Sequence, residues 1–202
     1  MNSASPASIF IDGENLLYGL LSVLIPEKLV PERADLVKFD LISLFLEAVK
    51  DNTKPINIYY YGTKPHVVKD MGEEALEAST KMVEHKQAWG EWLDKQKILY
   101  ITAGNLRARQ KKDGVVFQEK GVDVRIAVDM VKLAYESDKM HFVVASSDSD
   151  IIPALRVVKE KGHQITYVAM AGSTNRAISA NVDRTVTFNR QNIINNFQSV
   201  NK

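Results

Sequence analysis

Short apolar runs alternate along the chain with longer segments in which apolar residues recur every three or four positions. The first pattern is typical of buried strands and the second of amphipathic helices. The runs predict strands at 8–11, 56–61, 98–101, 142–145, 164–170 and 184–188. The periodic segments predict helices at 16–24, 39–49, 70–96, 120–135, 151–158 and 190–197. Because strands that alternate with helices are joined by crossovers, this order predicts a parallel sheet covered by helices on both faces.

Two of the predicted strands end in acidic turns. The strand at 142–145 passes directly into Ser-Ser-Asp-Ser-Asp, which contains Asp148 and Asp150, and the first strand passes into Asp-Gly-Glu-Asn at 12–15. Asp12 alone would be explained equally well as a helix N-cap, but the repeated design favours a site. Since ligands bind at the carboxyl ends of strands in open α/β sheets, the two turns predict one wall of an acidic metal site.

A further carboxylate begins the predicted helix at 120–135. Apolar residues cover more than one side of this helix, so we expect it to be mostly buried. Asp129 follows Asp123 by six positions, about 240° around a helix, so the two side chains do not face the same point. Asp123, at the exposed end, is the better ligand candidate, whereas Asp129 is expected to pair with a base or a backbone group.

These acidic side chains predict a site for a hard divalent cation. The candidate ligands are Asp12, Asp123, Asp148 and Asp150. Four carboxylates at one sheet end repel one another, and without a cation some of them stay protonated. Ligation by oxygen alone favours Mg²⁺ or Mn²⁺ over zinc, and such an ion activates water and offsets phosphate charge. Asn15 is placed to orient a ligand or the water, and Lys120 to hold a phosphate.

A basic segment at 105–112 offers a contact for a polyanion. Its cations are Arg107, Arg109, Lys111 and Lys112, and the Asp-Gly pair that follows is a hairpin signal. A basic ribbon on a chain of net charge +1 predicts a contact for a polyanion. An edge hairpin that its charges protect against pairing explains the same residues nearly as well.

The lysines of the 70–96 helix, Lys86 among them, alternate with glutamates and indicate a solvated face.

Composition limits the classes of protein that remain. The 202 residues are 45% apolar, enough for one sizeable core, and no cysteine is present for a disulfide or a thiolate metal site. We expect residues 1–7 to be a flexible tail and 8–198 a single domain. The N-terminus lacks the pattern of a signal peptide, and the apolar stretch at 16–25 is too short to span a bilayer. A cytoplasmic protein without a membrane partner is the expectation.

Three segments carry a family resemblance. They are FIDGENL at 10–16, KGVDV at 120–124 with Asp129, and ASSDSD at 145–150. In order, spacing and element type they resemble the signatures of NYN domains, of the LabA-like branch, within the PIN-like nuclease superfamily. The resemblance extends over about 8–188. Its departures are mild: Ser147 stands where Gly is common, and Ile151 replaces a usual Phe.

The resemblance implies a fold and an activity. The fold is a PIN-like three-layer α/β/α sandwich with a mostly parallel central sheet, in strand order 3-2-1-4-5. The activity is metal-dependent cleavage of RNA phosphodiesters by an endoribonuclease that uses Mg²⁺ or Mn²⁺. The residues that inherit catalytic or metal-binding roles are Asp12, Asp123, Asp148 and Asp150, with Asn15 beside them.

Two other functions stay open at the level of sequence. The first is a regulatory module that has the same fold and binds single-stranded or structured RNA with weak or no catalysis. The second is a phosphatase, because the Asp148-Ser149-Asp150 turn has the form of an aspartyl-nucleophile site. The four histidines are scattered, and neither a Walker sequence nor GxGxxG is present. The sequence leaves a homodimer open.

Overall fold

The apolar runs form the strands of one central sheet. The structure, a computed structural model, describes residues 6–31, 39–49, 55–111 and 114–200. The strands are β1 Ala7–Asp12, β2 Pro55–Gly62, β3 Leu99–Thr102, β4 Asn105–Lys111, β5 Gly114–Lys120, β6 His141–Ala145, β7 Gln164–Met170 and β8 Arg184–Phe188. The helices are α1 Gly13–Leu24, α2 Leu41–Val49, α3 Glu73–Lys95, α4 Val122–Glu136, α5 Ile152–Glu160, α6 Arg176–Ser179 and α7 Arg190–Val200, and a 3₁₀ turn spans Ser149–Ile151.

Six of these strands are parallel neighbours in the order β3-β2-β1-β6-β7-β8. The predicted α/β sandwich with a mostly parallel sheet is therefore confirmed, and the implied 3-2-1-4-5 order is extended by one edge strand, β8. The chain leaves β1 toward β2 and β3, and later returns to the other side of β1 with β6. The junction of β1 and β6 is thus the point where the strand order reverses, which in such sheets opens a crevice at the carboxyl ends.

The central strands are buried on both faces, which explains why they are continuous apolar runs. Ile9 and Ile11 on β1 face a core built with α1, α2, α3 and α7. Phe10 between them faces a second core with α4 and α5, where its ring stacks on Phe142 with centroids 5.5 Å apart. Alternate residues of one strand therefore hold the two helical layers together.

The basic segment forms half of an antiparallel hairpin, β4 with β5, that is separate from the main sheet. The chain enters it from β3 through Gly104, whose φ is +64° and whose missing Cβ would lie 1.9 Å from the carbonyl oxygen of Lys120. Only glycine fits such an approach. A hairpin of two strands is marginal by itself, so its position depends on packing against the body, chiefly on α3.

Several boundaries differ from those predicted. β1 begins at Ala7, one residue early, because Ala7 already pairs with β2 and β6. α3 begins at Glu73, three residues after the predicted start, and ends at Lys95. α2 begins at Leu41 rather than at 39, and Asp40 caps its start, with Oδ1 accepting from the Ser43 amide at 2.9 Å.

The prediction that the helix at 120–135 is mostly buried was wrong. Only one row of α4, namely Val122, Ile126, Met130 and Ala134, is fully buried. Other apolar residues of the helix point to solvent, because a helix that lies on a sheet buries one side however apolar its remaining sides are. Across the described ranges, the structure has no helix with the length and apolarity needed to cross a bilayer.

Candidate metal centre

The acidic turns meet where β1 and β6 part. Ile11 and Ala145 are register partners on these strands, so the residues that follow them leave the sheet side by side. Asp12 ends β1, and the Ser146–Asp150 turn follows β6. The sequence pattern of strand, acidic turn and helix therefore places both turns at the crevice of the sheet.

Three aspartates gather at this crevice. Asp123, Asp148 and Asp150 each offer a carboxylate oxygen, and these three oxygens lie within 4.8 Å of one another. Asp123 is in the first turn of α4. Asp148 caps the 3₁₀ turn, with its Oδ1 accepting from the backbone amide of Asp150 at 3.0 Å, so the turn orients the Asp148 side chain.

Asp12 occupies the same cleft but is held differently. Its Oδ1 accepts from the Asn15 amide at 3.1 Å, and its Oδ2 accepts from Ser146 Oγ at 3.2 Å. Its side chain is buried, with 8% exposure for the residue. Burial raises the pKa of Asp12 above 3.8; the two hydrogen bonds oppose this shift, and the charges of Glu119 and Glu14 add to it. Asp12 is therefore both the N-cap of α1 and a wall of the cleft.

Asn15 links the two turns. Ser147 Oγ donates to Asn15 Oδ1 at 2.6 Å, and Asn175, the N-cap of α6, donates from Nδ2 to the Ser147 carbonyl at 2.9 Å. The hydroxyl of Ser147 thus fills a role that a glycine at this position could not. Asn15 lines the same cleft as Asp12, Asp123 and Asp148.

The cleft has a volume of about 480 Å³ and two kinds of wall. On one side lie Asp12, Asp123 and Asp148. On the other side the hairpin contributes Leu106, Phe117 and Glu119, and α3 contributes Met82 and Lys86. The hairpin therefore completes the cleft as well as carrying basic residues.

A buried ion pair fastens the hairpin to the body. Lys86 Nζ bonds Glu119 Oε1 and lies 3.0 Å from Thr63 Oγ1, which in turn donates to Glu119 Oε1 at 2.6 Å. The side chains of Lys86 and Glu119 are 10% and 13% exposed. The prediction of a solvated face for Lys86 was therefore wrong. No local signal could reveal the pair, because its partners lie 33 residues apart on different elements.

The predicted basic residues lie along the hairpin. Arg107 and Arg109 are exposed on β4 and, being two positions apart, point to the same face. Lys120 is exposed at the end of β5, next to the start of α4. Lys111 is in β4, but its side chain is outside the described part of the structure, as is the whole of Lys112.

Asp129 does not join the three aspartates. Arg125 Nε donates to its Oδ1 at 3.0 Å and its Oδ2 at 2.8 Å, and the Tyr61 hydroxyl donates to Oδ2 at 3.1 Å. The expected pairing with a base is confirmed. Burial, together with this carboxylate, raises the pKa of the Tyr61 hydroxyl far above 10.

Comparison with known proteins agrees with this geometry. The sequence model of the NYN domain matches residues 6–189. The chain belongs to the NYN domain family. NYN domains are part of the PIN-like nuclease superfamily, whose members typically use divalent metals. No curated protein matches the sequence.

Two solved structures resemble the chain. A protein of unknown function from Vibrio parahaemolyticus RIMD 2210633, VPA0982, is 15% identical with a TM-score of 0.58, and the match covers 94% of this chain and 96% of that one. This likeness shows a shared fold. A hydrolase from Pseudomonas syringae is 11% identical over 98% of this chain and 99% of that one, with a TM-score of 0.25. A score this low does not show a shared fold.

Proposed function

We propose that this NYN domain is an endoribonuclease that cleaves RNA phosphodiesters in the acidic cleft with the help of Mg²⁺ or Mn²⁺. The observation that carries the proposal is the trio of carboxylate oxygens within 4.8 Å at the reversal of strand order. Family membership supports RNA as the substrate. The LabA-like branch and a cytoplasmic location remain predictions.

The donor set fits a hard cation. Asp123, Asp148 and Asp150 supply oxygen ligands, the type that Mg²⁺ and Mn²⁺ prefer, and they repel one another until a cation is present. These three would hold the ion, and Asp12 lines the same cleft outside the trio. A bound ion would lower the pKa of a coordinated water and offset charge on the phosphate.

The chain's own residues supply positioning. Asn15 is fixed by Ser147 and therefore presents its side chain in a defined direction toward the cleft. Lys120, exposed three positions before Asp123 in the chain, is our candidate to contact a phosphate. Arg107 and Arg109, with Lys111 and Lys112 as further candidates, would hold the RNA backbone along the hairpin.

Cleavage assays with matched variants test the proposal. Single-stranded and structured RNAs are incubated with the protein and Mn²⁺, with Asp148→Asn as the test variant. Asp138→Asn, an exposed aspartate between α4 and β6, is the control. We expect cleavage by the wild type and the control, none with chelator, and none by Asp148→Asn. Equal cleavage by Asp148→Asn, or none by any protein, would contradict the proposal.

A second candidate is an RNA-binding regulatory module without catalysis. The exposed Arg107 and Arg109 on β4 of the hairpin are the observation that favours it. This function predicts RNA retention in the presence of chelator and its loss when Arg107, Arg109, Lys111 and Lys112 are all changed to Ala. Retention without any cleavage would select this function over the nuclease.

A further inference from the structure

A second cavity, which we call the side pocket, adjoins the acidic cleft. It has a volume of about 140 Å³ and lies between α1 and the carboxyl ends of β6, β7 and β8. Asn15, Tyr18 and Ser147 line both the side pocket and the cleft, so the two cavities share a wall. The proposed reaction needs only the carboxylates of the cleft, which leaves the side pocket without a role.

The walls of the side pocket suit a flat ring with hydrogen-bond acceptors on its edge. Its apolar lining comes from buried side chains of α1, β7 and β8, namely Leu16, Val168 and Phe188. Asn15 Oδ1 accepts from Ser147 Oγ, but within the described ranges its Nδ2 donates no hydrogen bond. The Tyr167 hydroxyl accepts from the Asn175 amide at 3.3 Å, and no described residue accepts its proton. A nucleobase has this combination of flat faces and acceptor-bearing edges.

Tyr18 is exposed at the wall between the two cavities. The residue is 77% exposed, and it follows Asn15 by three positions on α1, which puts both on one face of the helix. An exposed tyrosine alone is ordinary on a protein surface. This one borders both an acidic cleft and a pocket, and exposed aromatic rings are the platforms on which proteins stack the bases of single-stranded nucleic acid.

The order of the strands sets the cleft between the hairpin and the side pocket. The hairpin follows β3 and is bonded to the end of β2 through Thr63 and Glu119, whereas the side pocket lies at the ends of β6, β7 and β8. The acidic turns follow β1 and β6, in the middle of the sheet. A strand of RNA held on the hairpin would therefore pass the aspartates before it reached Tyr18.

We propose that the side pocket and Tyr18 bind one unpaired base of the RNA, next to the phosphate at the aspartates. The inference rests on the proposed nuclease function and narrows its substrate to RNA that is single-stranded where it is cut. Tyr18 stacks on the face of the base, and Asn15 and Tyr167 donate to acceptors on its edge. In a duplex, neighbouring and paired bases occupy these faces and edges, so a double-stranded segment does not bind in this way.

Binding in chelator tests the side pocket without using cleavage. Fluorescence anisotropy measures the affinity of the full chain for a short single-stranded RNA and for the same strand in a duplex. We expect Tyr18→Ala to weaken single-strand binding by about fivefold or more, the loss of one stacked base, and to leave duplex binding unchanged. Tyr18→Phe should bind like the wild type, because stacking needs only the ring.

Tyr135→Ala is the matched control for this measurement, because it removes an exposed tyrosine at the far end of α4. Its affinity for the single strand should equal that of the wild type, and circular dichroism checks that all variants fold. Unchanged single-strand binding by Tyr18→Ala, or an equal loss for single strand and duplex, would overturn the side pocket as a base site.

A base analogue and an abasic RNA separate the side pocket from the reaction. 2-Aminopurine loses fluorescence when it stacks, so its placement along the RNA should reveal one quenched position that Tyr18→Ala abolishes. With Mn²⁺, an abasic nucleotide there should slow cleavage by the wild type about fivefold or more and change cleavage by Tyr18→Ala little, because ring and base act as a pair.

The outcomes distinguish the two proposals. A wild type that binds as expected but cleaves no RNA would contradict the nuclease and leave the side pocket supported. A wild type that cleaves, but cuts a duplex or the abasic RNA as fast as the intact single strand, would overturn the side pocket and leave the nuclease supported.

Discussion

Two groups of carboxylates line one cleft and are stabilised in opposite ways. Asp12 is buried, and each of its oxygens already accepts a hydrogen bond from the protein. Asp123, Asp148 and Asp150 are closer to solvent and bring their oxygens together. Hydrogen bonds from the protein therefore hold the Asp12 side chain in place, whereas the trio gains most from a cation. Loss of Asp12 should damage folding as well as function, whereas loss of Asp123, which caps no turn, should damage function alone.

The largest effect is expected for Asp123→Asn. Removing one member of the trio should lower RNA cleavage by about a hundredfold or more, because a metal ligand is lost. The metal-free protein should be as stable as the wild type, since repulsion within the trio is relieved. Cleavage rates and urea unfolding in chelator measure the two quantities. A large loss of metal-free stability would contradict the distinction between the groups.

Glu119 differs from both groups of aspartates, because its charge is balanced by Lys86. Lys86→Met should cost about 3–5 kcal/mol in the free energy of unfolding, since it leaves a buried carboxylate without its partner. The double variant Lys86→Met with Glu119→Leu should cost much less, because no unpaired charge then remains. Urea denaturation of the four proteins in the cycle measures this. Additive losses would show that the pair does not act as a unit.

A smaller effect is expected for Asp12→Ala. Loss of the α1 cap should cost about 1 kcal/mol of unfolding free energy, with or without metal. Asp12→Asn should cost less, because the amide oxygen can still accept from the Asn15 amide. Thermal unfolding in chelator compares the two. Unchanged stability of Asp12→Ala would mean that the cap contributes nothing.

The smallest effect is a pH dependence of metal-free stability. Because the pKa of Asp12 is raised on folding, the folded state holds this proton more tightly than the unfolded chain. The contribution of Asp12 is therefore present below its unfolded pKa, about 3.8, and decreases as pH rises through the higher folded value. The free energy of unfolding is measured against pH in chelator for the wild type and for Asp12→Asn. The difference between the two curves gives the contribution of Asp12. A difference that grows with pH in favour of the wild type would reverse the sign and contradict the account.

The crevice was predictable because each acidic turn directly follows an apolar run, and parallel strands bring their carboxyl ends to one edge. The different hydrogen bonding of Asp12 and Asp148 was not predictable. It depends on which donors, such as the Ser146 hydroxyl, lie next to each carboxylate in the folded protein. Similarly, the apolar residues of α4 indicated burial, but only the packed structure shows that Val124 and Val128 face outward. The Lys86–Glu119 pair likewise depends on how the hairpin docks on α3.

Calorimetric titration of Mn²⁺ into the metal-free protein tests the central claim most directly, with wild type, Asp150→Asn and Asp138→Asn compared. We predict saturable binding to the wild type and the control, weakened by about tenfold or more in Asp150→Asn, and competition by Mg²⁺. Equal Mn²⁺ binding by all three proteins, or none by the wild type, would contradict a metal centre at this crevice.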